Sequence, residues 1–512
     1  MRILLLPLDE RPCNAKFPSM VGRSGDVETV IPPRPMLGDK KTPADVSGLF
    51  GFLTEQAATA DAAVVSLDML VYGGLIPSRL HHMQPETVLG RLDAVRTLKR
   101  INPRLAVYAS MSVMRTPQYD SDDEEPDYYA HHGRALFRRA WLLDRAERGG
   151  LDAAQRDELD AIAIPDEVVE DYERRRRTNL LVNEACLDLL REGAIDFLVF
   201  PQDDSSPYGY TAVAQRHLQR AIEEKDVRRQ VMVYPGSDEI GCTLLARAVC
   251  ALHGRTPTIR PRFASTMGPG IIPLYEDRPM MESLKSHVRA CGARLADSDE
   301  TADIELMINA PGRIMQEAQS AVDGRDLTYD TYRNLPVFVD DAARLLDRGS
   351  RVAICDSAYA NGGDQQLLHD LDGIGALADI ASYAGWNTNC NTLGNTLAQA
   401  IVGVPDSPYR SRNLAYRLIE DVLYQTDVRW RVDAGLSERG GSYQDVVPCM
   451  DWAVTATRKQ LQKEYDGLAL SATLPARINA VRFPWRRMFE IDMDLTVGIP
   501  SALRQDTCRE DA

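Results

Sequence analysis

The sequence predicts an α/β protein with a (β/α)8, TIM-like barrel. Eight short apolar runs begin near residues 3, 62, 105, 195, 230, 304, 352 and 380, and a helix-compatible segment follows each run. Strands that alternate with helices indicate a parallel sheet. Eight such units over roughly 400 residues fit a barrel with insertions. A doubly wound open sheet is the alternative.

The chain of 512 residues is too long for one simple core. The alternation of strands and helices continues to residue 402, so a catalytic barrel is predicted over residues 1–402. Residues 403–512 lose the alternation. They are predicted to form a mainly helical C-terminal region that packs on the barrel, with a loop and strand over 482–494.

Composition restricts the partners and the compartment. The net charge of −16 argues against binding to nucleic acid or to an anionic membrane surface. No run of 18 apolar residues occurs, so no membrane span is predicted. Nine scattered cysteines without a CxxC pair favour a reducing, cytoplasmic location. A small-molecule or oligosaccharide substrate is expected, and a homo-oligomer is left open.

The first three predicted strands end in polar residues. Asp9, Glu10 and Arg11 close the strand near residue 3, and they could bind substrate or form an ion pair that fixes the first loop. Further candidate substrate-binding residues follow the next two strands: Asp68, Tyr72 and Arg115. The active sites of barrels form at this C-terminal face.

The strand from Ile195 to Pro201 carries the central prediction, because Gln202, Asp203 and Asp204 follow it directly. Side chains alternate across an extended backbone, so the two carboxylates meet different environments. Separated environments allow separated pKa values, one for an acid and one for a base. The two aspartates are therefore the predicted catalytic residues. The alternative is a polar strand end that binds nearby backbone N–H groups.

Later strand ends supply the remaining candidates for substrate binding. Asp238 and Glu239 could instead cap the next helix, because carboxylates are favoured at helix N-termini. The segment 356–364 could instead be a glycine-rich turn with Asx capping. The candidates are Asp238, Glu239, Asn309, Asp356, Tyr359, Asn361, Asp364, Trp386 and Asn387.

Residue types narrow the chemistry. There is no HxH or HExxH pattern, no GxGxxG after a strand and no P-loop. The carboxylates could bind Mg²⁺ through Asp203, Asp204 or the pair Asp238 and Glu239. They could equally hydrolyse glycosides, with Trp386 and Tyr72 as an aromatic platform for a sugar. No cofactor and no resident metal are predicted.

Four segments resemble a bacterial family known only as a domain of unknown function: LLPLDERPCN, SLDMLVYGGLIPSR, FPQDDSSPYG and GWNTNCNTLGN. That resemblance spans most of the chain. A weaker resemblance is to the family-84 glycoside hydrolases of the O-GlcNAcase type. It rests on the Asp pair after the fourth predicted strand, on the segment from Asp356 to Asp364, and on Tyr383-Ala384-Gly385-Trp386-Asn387. The spacing of the second segment departs from that family's pattern, with two glycines between Asn361 and Asp364.

The second resemblance implies a substrate-assisted mechanism, in which the sugar's own 2-acetamido oxygen attacks the anomeric carbon. Asp203 would accept the acetamido N–H, and Asp204 would protonate the leaving oxygen. The residues that would hold sugar hydroxyls are Asp356, Tyr359, Asn361 and Asp364, and Gln202 could do so too. The alternatives are a metal-dependent hydrolase or lyase that uses the same carboxylates, and a sugar-binding barrel without catalysis.

Overall fold

A computed structural model describes residues 1–320 and 324–498. Contacts divide the chain into two compact units. Unit 1 comprises Met1–Pro18, Val27–Ala248 and Tyr275–Asp277. Unit 2 comprises Ser19–Asp26, Val249–Leu274 and the described residues from Arg278 onward.

Unit 1 is built on a parallel sheet of six strands, in the order β2-β1-β3-β4-β5-β6. The apolar runs of the sequence form its buried centre; every residue of the fifth strand, for example, is buried. The strands are β1 (Arg2–Leu6), β2 (Glu28–Val30), β3 (Ala62–Ser66), β4 (Ala106–Ser110), β5 (Phe197–Gln202) and β6 (Val231–Pro235).

Along the chain, the helices of unit 1 alternate with these strands, and the amphipathic helices bury their apolar side. In Asp93–Ile101 the buried residues are Ala94, Val95 and Leu98, a helical spacing. Asp45 and Ser66 cap helix N-termini through their side chains. The helices are Pro12–Ala15, Val46–Ala57, Leu67–Tyr72, Pro77–Leu80, Pro85–Arg91, Asp93–Ile101, Tyr129–Gly149, Ala153–Ala161, Asp166–Arg191 and Tyr210–Glu224, while Phe17–Ser24 and Ile240–Leu252 have residues in both units.

The sheet of unit 1 is strongly curved. Three strands separate β1 from β6, so in a flat sheet their ends would be roughly 19 Å apart at about 4.8 Å per strand. Yet Arg11, which follows β1, donates a hydrogen bond of 3.1 Å to Asp238, which follows β6. The C-terminal ends of the strands therefore converge.

Unit 2 has a parallel sheet of five strands in the order β13-β11-β9-β7-β8. A short parallel pair and an antiparallel hairpin lie outside it. The strands in chain order are β7 (Thr258–Phe263), β8 (Arg294–Leu295), β9 (Ile304–Asn309), β10 (Gln316–Glu317), β11 (Val352–Asp356), β12 (Tyr359–Ala360), β13 (Ser382–Ala384), β14 (Ala476–Arg482) and β15 (Asp492–Val497).

The helices of unit 2 include an eleven-residue π-helix, Leu418–Val428, that continues directly from an α-helix. All fourteen residues of Asn389–Val402 are buried, so this helix is central in the unit. The α-helices are Met280–Ala290, Thr328–Thr331, Leu335–Asp347, Gln365–Gly373, Asn389–Val402, Pro408–Arg417, Arg429–Asp433, Met450–Asp466 and Leu470–Thr473.

The predicted α/β class is confirmed, and all eight predicted strands are present. The single closed barrel is not confirmed, because the parallel strands of the described residues lie in separate open sheets. If the strands of each sheet are numbered in chain order, neighbouring strands follow the order 2-1-3-4-5, read from β2 in unit 1 and from β8 in unit 2. This is the order of a doubly wound fold, which was the alternative prediction. Alternation of strands and helices fits both folds, since it does not reveal whether the first and last strands pair.

The two units do not coincide with the predicted division at residue 402. Residues 403–498 contain helices and the hairpin β14–β15, and residues 499–512 of the predicted C-terminal region lie outside the described residues. Among the described residues, no helix has the length and apolar character needed to cross a membrane. The eight cysteines there are free and buried.

Substitutions at two glycines, one in a crowded position and one in an open position, test the packing of unit 1. Gly73 ends the helix Leu67–Tyr72 at φ 86°, and a Cβ there would lie 2.7 Å from the backbone nitrogen of Ala44. We expect Gly73→Ala to lower the free energy of unfolding by about 2–4 kcal/mol, from left-handed backbone strain plus the clash. Gly51→Ala is the matched control, because a Cβ there meets nothing within 4 Å in a helix. Gly51→Ala should leave the free energy of unfolding unchanged or raise it by up to about 1 kcal/mol, as measured by urea unfolding. If both variants lowered the free energy of unfolding equally, this packing would be contradicted.

Candidate active site

The C-terminal edge of the six-stranded sheet carries a group of charged side chains. In a parallel sheet all strands end at the same edge, and doubly wound folds bind their ligands there. The group comes from the loops after five of the six strands, and we call it the acid–arginine cluster. Its members are Asp9, Arg11, Asp68, Arg79, Arg115, Glu124, Glu125, Asp203, Asp204 and Asp238.

Two buried arginines form the centre of the cluster. Arg79 donates to Glu124 at 3.3 Å and to Glu125 at 3.2 Å. Arg115 donates from Nη2 to Glu124 at 2.9 Å and from Nε to Glu125 at 2.8 Å. Each glutamate therefore bridges both guanidinium groups, and this pairing ties the loops after β3 and β4 together. Glu125 is fully buried, and its Oε2 atom has no hydrogen-bond partner among the described residues.

The catalytic candidates Asp203 and Asp204 contact the same two arginines. Arg79 Nη2 donates to Asp203 Oδ2 at 2.8 Å, and Arg115 Nη1 donates to Asp204 Oδ2 at 3.2 Å. No hydrogen bond from residues 1–320 or 324–498 reaches the Oδ1 atom of either aspartate. Their side chains are 26% and 23% exposed, against 2% for Arg79 and 8% for Arg115. Of these four side chains, the two aspartates are therefore the ones that a solute can reach.

Asp204 has an unusual backbone and an unusual proton affinity. Its φ of 44° lies in the left-handed region, which a non-glycine residue seldom adopts outside constrained sites. The next residue, Ser205, anchors the turn by donating its N–H to the carbonyl of Tyr275 at 3.0 Å. Burial, and then the negative charge of Asp203, raise the pKa of Asp204 to about 7. This carboxyl can therefore hold or release a proton near neutral pH.

A second part of the cluster joins the first loop to the last strand of the sheet. Arg11 donates to Asp9 Oδ2 at 2.7 Å and to Asp238 Oδ1 at 2.5 Å. Asn14 donates to Asp9 at 2.9 Å and to Asp238 at 3.0 Å. All four side chains are buried, and burial raises the pKa of Asp238 to about 6. This arrangement matches the alternative in which Asp9 and Arg11 fix the first loop.

The side chains of Glu10 and Glu239 each accept a hydrogen bond from a backbone N–H group. Glu10 accepts the backbone N–H of Lys40 at 2.7 Å. Glu239 is buried and accepts the N–H of Ser237 at 2.9 Å, directly before the helix Ile240–Leu252. Glu239 therefore stabilises the turn that leads into that helix.

Asp68 and Tyr72 are both buried on the short helix after β3. Asp68 accepts two hydrogen bonds from Ser112, 3.0 Å from its N–H and 3.1 Å from its hydroxyl. Burial raises the pKa of Asp68 to about 6. Tyr72 stacks on His81 with ring centres 4.6 Å apart. Tyr72 is therefore largely packed inside the unit. Gln202, the last residue of β5, is buried as well.

The candidates after the strands of unit 2 form a separate buried network. Asn309 donates to Asp356 at 2.8 Å and to Asp364 at 3.3 Å. Arg333 forms an ion pair of 2.5 Å with Asp364, and Tyr383 donates to Asp356 at 2.6 Å. Burial, and then the charge of Asp364, raise the pKa of Asp356 to about 6. Asp364 also caps the helix Gln365–Gly373, as the turn alternative predicts.

The aromatic and amide candidates of unit 2 support one another. Tyr359 stacks on Tyr329 with ring centres 4.8 Å apart. Asn361 donates its N–H to the carbonyl of Asn387 at 2.8 Å, and both residues have positive φ. Trp386 is fully buried, with Phe489 at its edge, so its ring is closed to a ligand.

The sequence predicted seven of the ten members of the acid–arginine cluster at strand ends, and it did not indicate Arg79, Glu124 and Glu125. Arg79 lies beyond the strand end, and Glu124 and Glu125 lie in the acidic loop 119–127. The signal that could have found them is charge complementarity, because buried arginines need acidic partners. Within residues 1–320 and 324–498 no group of three or more His, Cys, Asp or Glu residues could hold a metal ion.

Asp68 allows a test of burial through pH. A folded-state pKa of about 6, above the ordinary value near 4, means that the folded state favours the protonated acid. The stability contribution of Asp68 is therefore lost as the pH rises from 4 through 6, by about 3 kcal/mol. We expect the free energy of unfolding of Asp68→Asn, minus that of the wild type, to rise by this amount from pH 4 to pH 7.5. The exposed control Asp157→Asn should show no such trend; a flat difference for Asp68→Asn would refute the assignment.

Comparison with known proteins gives one match. A search of the curated proteins found none similar to this chain. The predicted resemblance to the family-84 glycoside hydrolases is found by neither comparison and stays a prediction. A family described as a protein of unknown function, DUF4127, matches residues 3–494, which include every residue of the acid–arginine cluster. The chain belongs to this DUF4127 family, as the four sequence segments predicted.

Proposed function

We propose that this protein is a glycoside hydrolase that uses Asp204 as the general acid and base and Asp203 to orient the substrate. The observation that carries the proposal is the pKa of Asp204, about 7, on a side chain that solvent can reach beside a second carboxylate. A general acid works best when its pKa lies near the pH of the reaction.

The two aspartates are suited to different tasks. Arg79 holds Oδ2 of Asp203, and Oδ1 remains able to accept an N–H group from a substrate. Arg115 holds Oδ2 of Asp204, and Oδ1 can carry the proton. Two carboxyl groups in environments that separate their roles are the usual arrangement for acid–base work on glycosides.

The substrate class follows from these roles. The acceptor Oδ1 of Asp203 fits the acetamido N–H of an N-acetylhexosaminide. The acetamido oxygen then attacks the anomeric carbon, the glycosidic bond breaks, and Asp204 gives its proton to the leaving oxygen. In the second step Asp204 takes a proton from water, and that water opens the cyclic intermediate. No enzyme nucleophile is required in this scheme.

The setting of the reaction is part of the proposal. The chemistry needs only the C-terminal edge of a parallel sheet, so it does not depend on a closed barrel. We expect a cytoplasmic enzyme of carbohydrate metabolism that acts on small-molecule or oligosaccharide substrates. Eight buried cysteines without a disulfide among the described residues support a reducing compartment.

The leaving group gives the sharpest test of Asp204. We expect Asp204→Asn to lower kcat/KM about 10²- to 10⁴-fold on N-acetylhexosaminides with poor leaving groups. Dinitrophenyl glycosides should lose far less, because their leaving oxygen needs little protonation. Asp157→Asn, at an exposed position of the helix Ala153–Ala161, is the matched control and should match the wild type. Equal losses on both leaving groups would reject the role of Asp204 as the acid.

The pH profile tests the same assignment independently. Since Asp204 must be protonated in the first step, kcat/KM should fall as the pH rises above about 7. This limb should disappear in Asp204→Asn. Asp203→Asn should abolish the preference for substrates with a 2-acetamido group. A loss of turnover on adding EDTA would favour the metal-dependent alternative, and no turnover of any glycoside would overturn the proposal.

A further inference from the structure

A polar pocket lies at the N-terminal edge of the five-stranded sheet of unit 2. Its volume is about 430 Å³, and it lies where β9 begins and just before β7 and β11 begin. Asn309 and Asp356 end β9 and β11 at the opposite edge. The pocket is lined by Arg255, Arg351 and the segment 400–405, which includes the end of the helix Asn389–Val402.

Two arginines of the pocket are held side by side by neutral groups. Arg255 donates from Nη2 to the carbonyl of Ile401 at 2.7 Å, and Arg351 donates from Nη2 to the carbonyl of Gly403. Neither arginine forms an ion pair with any residue that the structure describes. The Nε atom of Arg351 is buried and has no hydrogen-bond partner there.

A third arginine increases the local positive charge. Arg410 donates to two backbone carbonyls, those of Ile380 at 2.6 Å and Ala378 at 3.2 Å. Burial, and then the charges of Arg255 and Arg410, lower the pKa of Arg351. A half-buried cation whose charged form is disfavoured in this way gains stability from a nearby anion.

The acidic groups of the region do not supply that anion. Asp303, which lines the pocket, accepts two hydrogen bonds of 2.8 Å from the N–H and hydroxyl of Thr258. Burial lowers the pKa of Arg410, and the charges of Asp379 and Asp406 oppose that shift. The charges that shift the pKa of Arg351 are those of Arg255 and Arg410. The two pocket arginines are therefore left without an acidic partner among the described residues.

Capping of the helix Asn389–Val402 does not account for this arrangement. A helix C-terminus carries about half a negative charge, which cannot balance two guanidinium groups. Each guanidinium has five N–H donors. Arg255 uses one of them on this segment, and so does Arg351. Charge and donors both remain for a ligand.

We propose that this pocket binds a phosphate group, with Arg255 and Arg351 as its direct partners and Arg410 adding charge behind them. Arginine matches phosphate oxygens with paired, charge-assisted hydrogen bonds. The volume lies in the range of small-molecule sites. The apolar wall formed by Pro257, Ile304 and Val404 can contact the organic part of a phosphorylated metabolite. This inference is independent of the proposed glycosidase.

Titration calorimetry of the full chain tests the site. Inorganic phosphate and a hexose 6-phosphate are titrated separately at low ionic strength, and we expect saturable binding to one site. Arg351→Gln and Arg255→Gln should each weaken binding at least about tenfold, the usual effect of removing a hydrogen bond to a charged group. Arg348→Gln is the matched control, because it makes the same charge change at an exposed position near Arg351, and it should bind as the wild type does.

The outcomes decide between binding and a purely structural role. Tighter binding of the sugar phosphate would assign the apolar wall to the organic part, and equal binding would assign the phosphate group alone. Absence of saturable binding of both ligands to the wild type would overturn the proposal. Unchanged affinity in Arg351→Gln or Arg255→Gln would do the same. If Arg351→Gln fails to fold by circular dichroism, the exposed Arg255 gives the deciding variant.

Discussion

The pairing of Arg79 and Arg115 with four carboxylates joins the loops at one sheet edge of unit 1, and the chemistry of that edge depends on it. An unpaired buried guanidinium would cost several kcal/mol, so each arginine holds acids from more than one loop. The acids outnumber the arginines by two. A group with surplus negative charge in a region of low dielectric constant binds a proton readily, and Asp204 is the member whose pKa rises to about 7. Burial and the neighbouring charge of Asp203, which outweigh the two arginines, thus give Asp204 the proton affinity that the proposed reaction needs.

Curvature of the sheet makes this cluster possible. The ion pair of Arg11 with Asp238 joins the loops after β1 and β6, which are not neighbours in the sheet. A flat sheet of six strands would spread these loops over more than the length of an arginine side chain. The convergence of strand ends is the property that an open, curved sheet shares with a barrel. It also explains why Asp9 and Arg11 lie in one cluster with Asp238 although no barrel closes.

Local patterns in the sequence predicted the strands, because buried parallel strands are short apolar runs with polar ends. They did not predict which strand starts a new sheet. Asn309 and Asp356 therefore follow strands of the second sheet and lie in the network of unit 2. Trp386 and Tyr72 follow strands but are buried, since large aromatic side chains stabilise most by packing. Arg79, Glu124 and Glu125 were missed because the segments that carry them fold back to the strand ends, and no periodic pattern in the sequence indicates where such a segment folds.

The two edges of the sheet in unit 2 differ in how their charges are balanced. At the C-terminal edge, Asp356 and Asp364 find donors in Asn309, Arg333 and Tyr383, so the network is closed. At the N-terminal edge, Arg255 and Arg351 find only carbonyl groups. A chain with a net charge of −16 repels anions, and salt at about 0.1 M screens this repulsion beyond a distance of about 10 Å. Anion binding to such a protein must therefore depend on donors at short range, and the two unpaired guanidinium groups are positioned to supply them.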